Sequence, residues 1–183
     1  MMEELALHIM DVLQNSLAAG ARNVELDIEE NSDEDLLTIR VRDDGKGMTK
    51  EELEKVQDPF YTTKRDMGVG LGIPMFKWVA EHCDGHFSME SSPGRGTTLE
   101  ATFRLSHIDR PPIGDLASTI FGLVASCPDV RLLIRYKGID GEFVFDSKEV
   151  KDMLGEVPIS DAHVLRFLKE YIGGNLRDVM GTA

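Results

Sequence analysis

The sequence predicts an α+β protein, and three observations carry the prediction. Leu5, Ile9, Val12, Leu13 and Leu17 recur at helical spacing. Val24–Glu30 and Leu36–Arg42 read as two strands around a polar turn, Asn31–Asp35. A glycine-rich stretch over residues 66–72 then opens into a second helix that ends near Cys83.

Each element has a local reason. The first helix spans residues 5–19, and Gly20 supplies its C-terminal stop. Thr49 is placed to cap a short helix through Val56, with Glu51 and Glu52 suiting its positive end. Asp84-Gly85 turns the chain out of the helix that follows the glycines. His86–Ser91 and Thr97–Leu105 are then strands flanking the turn Ser92-Pro93-Gly94-Arg95-Gly96. Past Leu105 the texture changes, and Asp109-Arg110-Pro111-Pro112 reads as a stiff connector to a separate unit. That unit is expected to hold a helix over about 115–126 and a hairpin of Arg131–Tyr136 with Glu142–Phe145. A short helix capped by Ser147 and a longer one capped by Ser160, running to Gly173, complete it. The expected division is therefore residues 1–106 and residues 107–183, the latter a small α+β extension.

Composition narrows the class. The 183 residues are 42% hydrophobic, enough to bury a core. Lys and Arg number 20 against 33 Asp and Glu, a formal charge of −13 that would repel a phosphate backbone, so no nucleic-acid partner is expected. Cys83 and Cys127 lie in no CxxC pattern and are expected to be free thiols. The N-terminus lacks the basic region of a signal peptide, and the longest apolar run, Ile120 to Ala125, is too short to span a bilayer. A cytoplasmic protein without membrane contact is the expectation.

Four segments could carry chemistry. His8, Asp11 and Asn15 share one stripe of the first helix, opposite its apolar face. By itself that stripe reads as a solvated surface; functionally, Asn15 offers a carbonyl oxygen to magnesium and Asp11 could orient or deprotonate a water. Asp43-Asp44-Gly45-Lys46-Gly47 follows a strand directly. It is either an ordinary Asp-Gly turn or a carboxylate facing an adenine amino group, which an acceptor-only side chain would prefer to guanine's carbonyl. In Pro59-Phe60-Tyr61-Thr62-Thr63-Lys64 the aromatics read as packing and Lys64 as a phosphate contact. Gly68-Val69-Gly70-Leu71-Gly72 is neither a dinucleotide fingerprint nor a P-loop. Alternating glycines that open a helix can still cradle an anion, and Pro74 fits the first turn.

These segments, in this order, resemble the Bergerat-fold superfamily of the gyrase B subunit, a heat-shock chaperone, histidine kinases and MutL-type repair proteins. Asp11 to Asn15 match its N box, Asp43 to Gly47 its G1 box and Gly68 to Gly72 its G2 box. Gly94-Arg95-Gly96-Thr97-Thr98 is similar to the closing strand entry of histidine kinases, and the resemblance covers about residues 1–105. It implies a two-layer α/β sandwich, a mixed sheet covered on one face by helices, that binds ATP and Mg2+. By resemblance Asn15 holds the metal on the triphosphate, and Asp43 binds the adenine amino group with help from the Thr97 hydroxyl. Gly45 and Gly47 give the base room, Gly68, Gly70, Leu71 and Gly72 line the phosphates with Lys64, and residues 61–67 form a lid.

Two departures shape the functional expectation. Asp11 stands where gyrase-like ATPases and anti-sigma-factor kinases carry a catalytic glutamate, and it is one methylene shorter. None of His8, His82, His86, His107 or His163 lies on a phosphoacceptor hairpin, and His8 reads as a neighbour of Asp11, either at the surface or supporting it from behind. The resemblance therefore implies a regulatory ATP-binding protein that phosphorylates or switches a separate protein partner, with Asp11 as catalytic base. An ATPase switch and a nucleotide-sensing module are the alternatives, with ATP or ADP bound in each. Leu165, Phe167, Leu168, Tyr171 and Ile172 make too broad an apolar face for an isolated helix, so the extension docks on its own domain, a partner or a second copy in a homodimer.

Overall fold

The computed structural model describes residues 4–58, 60 and 71–180. Helix α1 (Leu5–Ala18) leads into strands β1 (Asn23–Asn31) and β2 (Leu36–Asp43). Helices α2 (Lys50–Val56) and α3 (Gly72–His82) precede β3 (Phe87–Ser91) and β4 (Thr97–Arg104). The remainder is α4 (Leu116–Ser126), β5 (Arg131–Lys137), β6 (Glu142–Asp146), α5 (Ser147–Leu154) and α6 (Ala162–Met180). The strands form one six-stranded mixed sheet in the order β3-β4-β2-β1-β5-β6, in which only β1 and β5 run parallel.

Period-two alternation divides the sheet into two chemically different faces. Val24, Leu26 and Ile28, Leu37, Ile39 and Val41, Leu99, Ala101 and Phe103, and Leu132, Ile134 and Tyr136 are all buried. Intervening residues form a charged lattice centred on β1. Arg135 Nη1 lies 2.6 Å from Asp27 Oδ1 and 3.4 Å from Glu25 Oε2. Arg42 approaches Asp27 at 3.8 Å from the other side, and Lys137 reaches Glu29 at 2.6 Å. Such part-exposed pairs contribute only about 0.2–1 kcal/mol each. Their larger effect is on register, because an acidic strand between two basic ones pairs favourably with both.

That lattice changes the reading of the C-terminal residues. The hairpin expected there forms as β5 and β6, but it extends the sheet through β1 and does not build a second one. One hydrophobic cluster includes Leu13, Ile39 and Phe76 together with Leu123, Ile134 and Ile172. The connector lies against α1, whose Leu5 and Ala6 amides donate to the Pro112 and Ile113 carbonyls at 2.9 and 2.8 Å. Among the described residues α1 has no side-chain N-cap, and these carbonyls satisfy two of its otherwise unpaired amides.

Local capping follows the sequence in the first half and departs from it in the second. Thr49 and Glu52 form a reciprocal capping box on α2. α5 is capped by Asp146, whose Oδ1 accepts from Lys148 N at 2.9 Å, and not by Ser147. The Ser147 hydroxyl is buried and accepts the Leu132 amide at 2.9 Å. Asp161, not Ser160, accepts the first amides of α6, from His163 N at 2.8 Å. α6 also continues through Gly173 to Met180, because Leu176 and Val179 prolong the buried stripe of Leu168 and Ile172.

His8 is the clearest correction. It is fully buried, at 0% exposure, and stacks on Phe76 of α3 with ring centroids 5.4 Å apart. α1 is covered on two sides, by the sheet and by α3, so the stripe that reads as solvated faces a helix. Neither ring nitrogen has a hydrogen-bond partner among the described residues, and burial pushes the pKa from 6.5 down to about 4. The unfolded chain therefore takes up a proton that the folded chain refuses. This stability is complete above about pH 6.5 and is lost as the pH falls towards the folded value. Moving from about pH 7.5 to about pH 5 should cost the wild type about 2 kcal/mol more than it costs His8→Phe, measured from urea midpoints.

Candidate functional site

Three strands end together beneath the C-terminal half of α1. In register, Phe87, Ala101 and Ile39 lie side by side, then Met89, Leu99 and Val41, then Ser91, Thr97 and Asp43. Directly opposed residues point to the same face, so two apolar rows on the helix-covered face give way to one polar row at its rim.

Asp43 is fixed on both oxygens. The Ser16 hydroxyl donates to Oδ2 at 2.7 Å, and the Gly45 amide donates to Oδ1 at 2.9 Å. Each oxygen keeps a lone pair, so the group remains an acceptor with a set orientation. Asp44 serves the loop, accepting the Arg22 and Asn23 amides at 2.7 and 2.9 Å. Lys46 N reaches Ala19 O at 2.9 Å, and Lys46 O accepts Gly94 N at 2.7 Å. Gly47 and Gly96 both have positive φ, 67° and 76°. A Cβ on Gly47 would sit 1.9 Å from Ser92 O, and one on Gly96 would sit 1.9 Å from Asp43 O. Backbone contact this close excludes any side chain at either position.

The other end of the site lies where α1 meets α3. Asp11 and Asn15 are half-buried. A Cβ on Gly72, the first residue of α3, would lie 2.8 Å from Asp11 Oδ2, so the carboxylate touches the start of that helix. Leu71 stands exposed at the N-cap of α3 and makes no side-chain cap hydrogen bond among the described residues. The Asn15 side chain makes no hydrogen bond among the described residues and can offer its carbonyl oxygen. Lys64, Gly68, Gly70 and the expected lid, 61–67, lie outside the described residues.

Of the expected site residues, Asp43, Gly45, Gly47 and Thr97 come together at the rim, while Asp11, Leu71 and Gly72 meet at the start of α3. α1 joins the two groups and carries Asn15 between them. Sequence reasoning missed Ser16 and Ser91. Ser16 is only 4% exposed and falls on the buried stripe, one turn after Val12. A polar residue in an apolar register was the available signal. Ser91 ends the alternation Phe87, Met89, Ser91 in the same way.

This arrangement has a family. The model of the histidine kinase-, DNA gyrase B- and HSP90-like ATPases matches residues 3–107, and the chain belongs to that family. It carries an ATP-binding, kinase-like ATPase module. Over 111 residues it is 31% identical to the non-motile and phage-resistance protein of Caulobacter vibrioides, covering 56% of this chain and 13% of that one. Over 99 residues it is 36% identical to the sensor histidine kinase WalK of Bacillus subtilis, covering 51% of this chain and 16% of the kinase. Sporulation kinase C of Bacillus subtilis is 29% identical over 96 residues, 52% of this chain and 22% of the kinase. The matched stretch is thus less than a quarter of each relative's length. A crystal structure of the N-terminal domain of a DNA repair protein shares the fold, with a TM-score of 0.57 at 13% identity, over 78% of this chain and 52% of that one. That likeness takes in more of the chain than the family model matches.

Three observations complete the inventory for the described residues. No helix is long and apolar enough to cross a membrane. No group of three or more His, Cys, Asp or Glu side chains is placed to hold a metal. Both cysteines are free thiols. Ser16→Ala should leave Asp43 Oδ2 without its donor from α1, lowering stability by about 1–3 kcal/mol in urea unfolding and weakening ATP binding about tenfold in calorimetry.

Proposed function

We propose that this chain is a regulatory protein that binds ATP with magnesium and uses it to phosphorylate or switch a protein partner. The observation that carries the reading is the Asp43 carboxylate, held by Ser16 and the Gly45 amide as an oriented acceptor at the end of β2. Such a group suits adenine's exocyclic amino group. Phosphates extending from there would run along α1 towards the start of α3, where a helix N-terminus favours an anion. Lys64, Gly68, Gly70, Leu71 and Gly72 are assigned to the phosphates.

Asn15 would hold the magnesium ion by its side-chain oxygen, a hard donor suited to that cation. When bound, the ion supplies charge neutralisation on the triphosphate. Asp11 is assigned as general base for the attacking hydroxyl, because its carboxylate already touches the start of α3. The kinases among the relatives support transfer to a protein, and the partner is defined here only as one carrying an acceptor side chain.

Hydrolysis as a conformational switch is the second reading. It is favoured by the hydrogen bonds from Leu5 and Ala6 to the connector, which tie the helix of the site to the C-terminal residues. Phosphate release without an acceptor would select it, whereas label transfer from ATP to a captured partner selects the first. In either case Asp43→Asn should abolish ATP binding in calorimetry, and Asn15→Ala should abolish its magnesium dependence. Asp11→Asn should stop turnover by about two orders of magnitude or more while sparing binding. Unchanged ATP affinity in both of the first two variants overturns the site.

A further inference from the structure

Ser91 is a member of the polar rim for which the ATP-site reading has no use. Its hydroxyl touches three different segments. It lies 2.9 Å from the Met48 amide in the loop after β2, 2.9 Å from the Gly96 carbonyl in the β3–β4 turn, and 3.0 Å from Thr97 Oγ1. A serine hydroxyl has one proton and two lone pairs. The Met48 N–H can only donate, and the Gly96 carbonyl can only accept. Ser91 must therefore spend its proton on Gly96, which leaves it a lone pair for Thr97. The arrangement that satisfies all partners has the Thr97 hydroxyl donating to Ser91.

We infer that Ser91 is a specificity-determining positioning residue, which holds Thr97 as a hydrogen-bond acceptor towards the bound purine. The inference rests on the adenine-site reading above and deepens it. Thr97 stands directly opposite Asp43 in the β2–β4 register and directly opposite Ser91 in the β3–β4 register. With its proton committed to Ser91, Thr97 turns lone pairs towards the base. Asp43 is acceptor-only by its chemistry. The rim then presents acceptors alone, which welcome an amino group at the purine six-position and reject a carbonyl there. A threonine free to rotate would donate to that carbonyl and soften the discrimination. Ser91 removes that freedom without touching the base.

The test compares ATP with inosine triphosphate, which carries a carbonyl in place of the amino group, by titration calorimetry of the full chain with magnesium. Ser91→Ala should lower the preference for ATP about 5–10-fold, by weakening ATP and sparing or strengthening inosine triphosphate. Thr97→Val should lower the preference similarly, and the double variant should lower it no further, because the two act through one bond. Ser91→Thr keeps the hydroxyl and should keep the ratio. A merely structural role would weaken both nucleotides alike, so an unchanged ratio in Ser91→Ala and Thr97→Val overturns the inference, provided that Asp43→Asn abolishes ATP binding. If Asp43→Asn also binds ATP normally, the adenine site itself is wrong and the inference falls with it.

Discussion

α1 is bound at both ends by backbone hydrogen bonds, and the rest of the molecule is arranged around that constraint. At its start, the Leu5 and Ala6 amides hold the Pro112 and Ile113 carbonyls; just past its end, Ala19 O holds the Lys46 amide. Between these points Ser16 ties the helix to Asp43 across the apolar layer. Leu5, Ile9, Val12 and Leu13 fill the space over the sheet, while His8 and Asp11 face α3. One helix therefore sets the height of the rim, the position of α3 and the path of the connector. Its burial on two sides explains why so short an element can hold a site together without a side-chain N-cap.

The charged face of the sheet has a comparable organising role. β1 carries Glu25, Asp27 and Glu29, while its neighbours carry Arg42 on one side and Arg135 and Lys137 on the other. Pairing β1 with β5 in parallel neutralises acid that β2 alone leaves in excess. A salt lattice of this kind is worth little in stability, yet a shift of one residue would turn its charges inwards and its apolar partners outwards. The −13 net charge thus conceals a locally compensated face.

How far the sequence could be read follows from the range of each interaction. Helix and strand periods, the Thr49 cap and the Asp84-Gly85 turn depend on neighbours within a few residues, and all were legible. The N-caps of α5 and α6 were displaced by one residue, because Asp146 and Asp161 outcompete adjacent serines once Ser147 is drawn into the core by Leu132. The placement of β5 beside β1 depends on apolar and charged partners more than a hundred residues apart, and no local pattern reports it. His8 was misread for the same reason: the helix that covers it lies more than sixty residues away in sequence.

Within the candidate site, what the sequence pointed to was single residues with distinctive chemistry. Asp43, Asn15 and the glycines announce themselves by type and spacing. Ser16 and Ser91 do not, since serine is common and each acts through a partner brought from another element. Their contribution lies in direction. A carboxylate or a hydroxyl can face several ways at similar energy, and a site that distinguishes one purine from another needs a single orientation of each. Ser16 and the Gly45 amide remove that freedom from Asp43, and in the proposed arrangement the saturated hydroxyl of Ser91 removes it from Thr97. Because Ser16 lies on the buried stripe of α1 and Ser91 where the alternation of β3 calls for an apolar side chain, the fold gives up a little packing at its rim to fix the polarity of the row above.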